Sequence, residues 1–147
     1  MREVVYIATP VRGDLHERRI NRQRATLLAH LAAVEGLAPL LPLFAVATAL
    51  EGYPDAETGD SAVPLACCLS LLATVKAQGG RFWVLERDDH TLSGGCAMEL
   101  ERWNRLLSVE GGTRQQTPVP LHLPSMGERF AATGDRDLIF QWKSLTS

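Results

Sequence analysis

The sequence predicts an α/β fold, a doubly wound three-layer sandwich with a mostly parallel sheet of the Rossmann/flavodoxin-like type. Short β-branched and aromatic runs alternate with longer helical patterns, as crossover-connected parallel strands require. Of the 147 residues, 46% are hydrophobic and 22% are charged, which fits one domain with its own core. We expect a single domain over 1–147, with a core at about 4–123 and a C-terminal tail at 124–147.

Apolar runs predict the strands. The first three strands are predicted at 4–8, 37–41 and 81–85, and a fourth is a candidate at 118–123. Asp14 and Glu17 have capping-box spacing, so a helix should begin near Leu15 and end at Gly36. A second helix is predicted at 64–78, ended by Gly79-Gly80.

The remaining segments are assigned more coarsely. Residues 43–50 form a short helix or a rim segment, 51–61 are a candidate mobile lid, and 111–117 are a linker. The tail contains Phe130, Leu138, Ile139, Phe140 and Trp142. We expect these apolar side chains to pack on another surface, a second subunit being one possibility.

Bulk properties exclude several classes of function. A formal net charge of −2 gives no overall attraction to a nucleic-acid polymer or an anionic membrane, and no apolar run approaches the roughly 20 residues of a membrane span. The N-terminus shows no signal-peptide layout, and three cysteines, two of them adjacent, make a poor disulfide framework. A cytoplasmic protein is expected. Without a C-x-x-C pair or a histidine cluster, no metal is predicted.

The stretch from Ser93 to Glu99 follows the third strand and a polar loop, and it reads S-x-G-x-x-x-E. Ser93 can cap a helix that continues to about residue 109, and Gly94 and Gly95 let another group approach its positive end. On the helical wheel, Cys96, Leu100, Trp103 and Leu107 form the buried stripe. Glu99 lies about 60° from its centre and Glu101 about 140°. Glu99 is therefore the carboxylate expected to point into a cleft, whereas Glu101 is expected to be solvated.

The first strand supplies the other side of that cleft. It carries Tyr6 and ends at Thr9, and the loop that follows holds Arg12 and Gly13 beside a helix N-terminus, a reasonable anion site. Right-handed crossovers would bring the loops after the first and third strands, and with them these residues and Glu99, to the same edge of the sheet. Most of the basic residues Arg18, Arg19, Arg22 and Arg24 are interpreted as a solvated helix face, and only Arg12 lies in the loop.

Other residues have simpler interpretations. Asp88-Asp89-His90 could be a metal or acid/base cluster, but consecutive polar residues in a loop favour an ordinary turn. Cys96 and Trp83 are expected in the core.

The run from Val5 to Pro10, the Arg12-Gly13-Asp14 turn and the later S-x-G-x-x-x-E resemble the nucleoside 2-deoxyribosyltransferase-like superfamily, in particular its deoxynucleoside 5′-monophosphate N-glycosidase branch. The resemblance spans about residues 4–109. It implies that Glu99 attacks the anomeric carbon and that Tyr6 orients it. Thr9, Arg12, Gly13, Ser93, Gly94 and Gly95 would bind the sugar or a 5′-phosphate.

The resemblance further implies a nucleoside or nucleotide substrate, no cofactor and a homo-oligomer. Ser93-Gly94 stands where transferases carry an aspartate before the glycine, which favours hydrolysis over base transfer. The predicted helix 64–78 offers no acid to protonate a leaving base, and only Asp55, Glu57 and Asp60 of the lid could substitute. The alternative is therefore a nucleotide-binding or sensing domain that has kept the cleft and lost the chemistry.

Overall fold

The computed structural model describes residues 1–48, 50, 62–106 and 116–147. Four parallel strands form one sheet in the order β2-β1-β3-β4, with β1 at Val4–Ala8, β2 at Ala38–Leu40, β3 at Arg81–Leu85 and β4 at Val119–Leu121. Helix α1 spans Leu15–Val34, α2 spans Ala62–Ala77, α3 spans Gly94–Arg105, α4 spans Gly127–Ala131 and α5 spans Arg136–Thr146. The predicted α/β class and parallel sheet are confirmed. The lid predicted at 51–61 and most of the linker lie outside the described residues.

Alternating side chains of the central strands separate the core into two layers. Val5 and Ile7 of β1 pack with α1 and the C-terminal helices, whereas Tyr6 and Ala8 pack with α2 and α3. Successive strand residues point to opposite faces, so apolar residues at every position require helices on both sides. This gives the three-layer sandwich, with Trp83 in the core as expected.

Local signals fix the start and end of α1. Asp14 accepts a hydrogen bond from the Glu17 amide at 2.8 Å, and Gly36 follows the helix with a φ of +89°. The left-handed region costs glycine little, so the chain can turn here into β2. Residues Leu43–Thr48 form a short π-helical segment, one of the two forms expected there.

Two expectations need correction. Helix α3 ends at Arg105 and not near 109, because Leu106 is already extended (φ −75°, ψ 145°). The tail packs on its own chain. Phe130 and Leu138 are buried in the α1 layer, and Arg129 pairs at 2.7 Å with Glu35, the C-cap residue of α1. A second subunit is therefore not needed to cover these side chains.

No helix within the described ranges is both long and apolar enough to cross a membrane.

Candidate functional site

Strand β1 and helix α3 bring Tyr6 and Glu99 into direct contact. The Tyr6 hydroxyl donates a hydrogen bond to Oε2 of Glu99, across 93 positions of sequence. Tyr6 is fully buried, and Glu99 is only 8% exposed. The predicted pairing is thus present, and Glu99 is buried together with Cys96 and Trp103 of α3. Glu101 is exposed, as expected.

Burial controls the electrostatics of this pair. Removal from water raises the pKa of Glu99 to about 7, and the hydrogen bond from Tyr6 opposes part of that rise. Burial and the neighbouring carboxylate raise the pKa of Tyr6, so its hydroxyl remains a donor. No Lys, Arg or His of the described residues forms an ion pair with Glu99. Within the part of the chain that the structure describes, the site therefore holds a desolvated carboxylate without a counter-cation.

Helix α2 closes one side of the site with its backbone. The Cys68 carbonyl lies 3.4 Å from the Tyr6 hydroxyl, a long contact beside the bond to Glu99. Burial raises the pKa of the Cys68 thiol and of the Cys96 thiol to about 12 each, with the Glu99 charge adding to both shifts. These thiols stay protonated and are poor nucleophiles. Nothing in the apolar sequence of α2 indicated that Cys68 would lie here.

The N-terminus of α3 has the predicted form. Ser93 is the N-cap, and its hydroxyl accepts a hydrogen bond from the Cys96 amide at 3.2 Å. Gly94 and Gly95 are exposed, and a Cβ at either would meet nothing within 4 Å. Internal crowding thus does not require glycine here. The open backbone leaves the first amides of the helix accessible to a ligand.

The loop after β1 places the remaining predicted residues at the same sheet edge, because Ala8 of β1 lies opposite Val84 of β3 in a parallel pair. Thr9 is buried, and Arg12 is exposed with its guanidinium unpartnered among the described residues. Gly13 has a φ of +138°, and a Cβ there would come within 2.6 Å of the Glu17 Cβ. Backbone conformation and the close contact with Glu17 therefore explain a glycine at position 13, independently of its predicted role in binding.

The loop after β3 is an ordinary turn held by hydrogen bonds and an ion pair, which is the interpretation that the sequence favoured. The Asp89 carboxylate accepts from the Thr91 amide at 3.0 Å, and Asp88 pairs with Arg24 of α1 at 3.2 Å. His90 has a φ of 67° and stacks on His122, with ring centroids 3.8 Å apart. No group of three or more metal-ligating side chains is arranged around an ion position in the described parts of the chain.

A groove of about 700 Å³ lies elsewhere, between the π-helical segment and α2. It is lined by Ala45, Val46, Val63, Ala66, Cys67, Ser70, Leu71 and Thr74, and not by Tyr6 or Glu99. Its lining is mostly apolar, and its polar groups are the Cys67 thiol and the hydroxyls of Ser70 and Thr74.

Comparison with models of known protein families, with curated proteins and with solved structures found no match to this chain.

Proposed function

We propose that this protein cleaves the N-glycosidic bond of a nucleoside, a deoxynucleoside or a 5′-monophosphate of either, with Glu99 as nucleophile and with hydrolysis favoured over base transfer. The observation that carries the proposal is the Glu99 carboxylate, which is buried, is held by Tyr6 and has no cation partner among the described residues. A desolvated carboxylate is suited to stabilise positive charge, and cleavage at an anomeric carbon develops such charge on the sugar.

The proposed reaction proceeds in two displacements. A Glu99 oxygen bonds to the anomeric carbon while the bond from that carbon to the base nitrogen breaks. The departing base keeps the electron pair of the broken bond and takes a proton from water. Water then attacks the anomeric carbon, which releases the sugar, restores the carboxylate and leaves its own proton to solvent. Tyr6 keeps the reacting oxygen oriented through its hydroxyl. No organic cofactor enters this scheme.

Substrate binding is proposed at the surrounding backbone and loops. The open amides at Gly94 and Gly95, together with Ser93, would bind sugar hydroxyls or a 5′-phosphate at the helix N-terminus. Arg12 carries an exposed guanidinium at the same edge of the sheet, beside Thr9 and Gly13, and is suited to pair with the phosphate. The resemblance to the nucleoside 2-deoxyribosyltransferase-like superfamily supports these roles.

The proposal includes a cytoplasmic location and a homo-oligomeric assembly. Cys67, Cys68 and Cys96 are all free thiols, as in proteins of the reducing cytoplasm. The resemblance also implies a homo-oligomer.

The test is release of free base, followed by chromatography, from a panel of nucleosides and nucleoside 5′-monophosphates. We expect release by the wild type and its loss, by at least 10³-fold, in Glu99→Ala. Glu99→Gln is the matched control for shape, because it preserves the volume and an acceptor for Tyr6 but cannot attack; it should be equally inactive and folded. Full turnover by Glu99→Gln would refute the assigned role.

A nucleotide-binding or sensing role is the second candidate. It is favoured by α2, in which the only charged side chain is Lys76 and none is an acid. Saturable nucleotide binding without base release, and without transfer to an added acceptor base, would select this second function.

A further inference from the structure

A histidine and a serine outside the Glu99 site form a hydrogen-bonded pair. His122 is the first residue after β4, and its Nδ1 lies 2.7 Å from the Ser125 hydroxyl. On the other side of the ring, Nε2 lies 3.0 Å from the backbone carbonyl of Asp88, in the loop after β3. Both ring nitrogens thus have a partner, and the two partners belong to different loops.

These hydrogen bonds determine where the ring proton of His122 lies. A backbone carbonyl can only accept, so Nε2 carries the hydrogen and donates it to Asp88. In the neutral imidazole the other nitrogen, Nδ1, then has a free lone pair, and the Ser125 hydroxyl donates to it. The proton of the serine therefore points at a base that can accept it.

Three further contacts hold the imidazole in this orientation. The ring of His90 stacks on that of His122, with centroids 3.8 Å apart and 17° between the planes. His90 is itself held by Glu86, whose Oε2 lies 3.1 Å from its Nδ1. Arg24 of α1 binds the Asp88 carboxylate at 3.2 Å and so anchors the residue whose carbonyl orients His122. The imidazole cannot turn away from the serine without breaking its stack on His90 and its bond to the carbonyl.

The bond between the two side chains is not required to form the turn in which they lie. Residues Leu123–Ser125 are a single 3-10 turn, and the Ser125 amide already donates to the His122 carbonyl at 2.9 Å. The Met126 amide donates in the same way to the Leu123 carbonyl at 3.1 Å. Backbone bonds therefore account for the turn. Ser125 is exposed, so its hydroxyl oxygen is open to a molecule from solution.

We propose that Ser125 is a nucleophile activated by His122 as general base, and that this second site hydrolyses activated carboxylic esters. A nucleophile and a base within hydrogen-bond reach, with the base oriented by a third group, is the arrangement that nucleophilic catalysis uses. The location fits as well, because open α/β sheets bind ligands outside the carboxyl ends of their strands, where His122 follows β4. The proposal does not depend on Glu99 or on glycosidic cleavage.

The proposed reaction has two steps. The Ser125 oxygen bonds to the ester carbonyl carbon while its proton moves to Nδ1 of His122, and the bond from that carbon to the leaving oxygen breaks. The leaving group keeps the electron pair of that bond and takes the proton from Nδ1. Water then attacks the acyl carbon and gives a proton to Nδ1. The bond to Ser125 breaks, and Ser125 regains its proton as the carboxylic acid departs.

The class of ester follows from the groups at this site. Among the described residues, the hydrogen bonds of the pair supply a nucleophile and a base but no donor for a developing oxyanion. One such donor contributes about 10²- to 10³-fold to the rate of a serine hydrolase. The site is therefore suited to esters whose leaving group is stable as an anion. Aryl esters, which release a phenolate, meet this requirement, and amides do not.

The test is hydrolysis of p-nitrophenyl acetate by the full chain, followed through the p-nitrophenolate released. We expect Ser125→Ala and His122→Gln each to lower the rate about 10²-fold or more, the usual contribution of a general base. Glutamine can still donate to the Asp88 carbonyl but has no basic nitrogen. The matched controls Ser144→Ala and His30→Gln, at exposed positions of α5 and α1, should keep the wild-type rate.

Labelling with a fluorophosphonate, followed by mass spectrometry, gives a second measurement that does not depend on turnover. We expect one covalent adduct, on Ser125, and its suppression in His122→Gln. Three results would overturn the proposal. They are a wild-type rate no higher than that of free imidazole at equal concentration, an unchanged rate in Ser125→Ala with an unchanged circular-dichroism spectrum, and an adduct on a residue other than Ser125.

Discussion

At the scale of single residues, the site depends on one carboxyl group whose ionisation is costly. Burial raises the pKa of Glu99 from its ordinary 4.5 to about 7. The protonated form is therefore favoured in the folded chain, and this contribution to stability is complete below pH 4.5 and is lost as the pH rises through about 7. The proposed nucleophile is the ionised form. Activity should therefore rise with pH over the same range, around pH 7, in which this contribution to stability is lost.

Tyr6→Phe tests this coupling. It removes the hydrogen bond that lowers the pKa of Glu99, so the pKa should move above its wild-type value and the rise of activity with pH should shift to higher pH. A hydrogen bond to a charged group contributes about 1.5 to 3 kcal/mol, which corresponds to roughly a 10- to 100-fold lower rate at pH 7.

The measurement is kcat as a function of pH for both proteins, with thermal unfolding to verify the fold. A lower rate with an unshifted pH profile would mean that Tyr6 acts in some way other than through the ionisation of Glu99.

At the scale of elements, the N-terminus of α3 combines a structural and a proposed binding role in Ser93. Its hydroxyl caps the helix by accepting from the Cys96 amide, while the adjacent open glycines form the proposed phosphate site. One substitution can separate these roles, because aspartate caps a helix as well as serine does but carries a negative charge.

We expect Ser93→Asp to unfold near the wild-type temperature, and Ser93→Ala to lose about 1 kcal/mol with its cap. With nucleoside 5′-monophosphates, Ser93→Asp should raise KM about 10-fold through repulsion of roughly 1.4 kcal/mol, and it should leave KM for nucleosides near the wild-type value. Steady-state kinetics on both substrate types gives the comparison. An equal change for both would place the phosphate elsewhere.

At the scale of the whole molecule, the C-terminal tail completes the sandwich. Phe130 is fully buried and lies 5.9 Å from the Trp142 ring, while the indole of Trp142 donates to the Leu123 carbonyl at 2.8 Å. Helices α4 and α5 thereby cover the α1 side of the sheet, and α2 and α3 cover the opposite side.

Two phenylalanines of the tail provide a matched pair. Phe130→Ala should cost about 3 to 5 kcal/mol of unfolding free energy, because it leaves a cavity in the core. Phe140 is 71% exposed, and Phe140→Ala should change stability by no more than about 0.5 kcal/mol. Urea unfolding followed by circular dichroism measures both. Similar losses for the two variants would mean that the tail also packs through Phe140, as it would against a second subunit.

The sequence by itself determined those parts of the fold that depend on residues close together in the chain. The bounds of β1 and β3 follow from their apolar runs, and the starts of α1 and α3 follow from Asp14 and Ser93, whose side chains bind backbone amides within the same turn. Helical periodicity also separated Glu99 from Glu101, because the orientation of a side chain on a helix depends only on its spacing.

Only the tertiary structure decided how deeply Glu99 is buried, which surface covers it and where the tail packs. Glu99 meets Tyr6 and the α2 backbone through contacts between residues far apart in sequence, and the burial that raises its pKa is produced by α2, the sheet and α3 together. The stack of His90 on His122 and the ion pair of Arg129 with Glu35 arise in the same way. Such contacts depend on how layers pack, which no local pattern in a single sequence encodes.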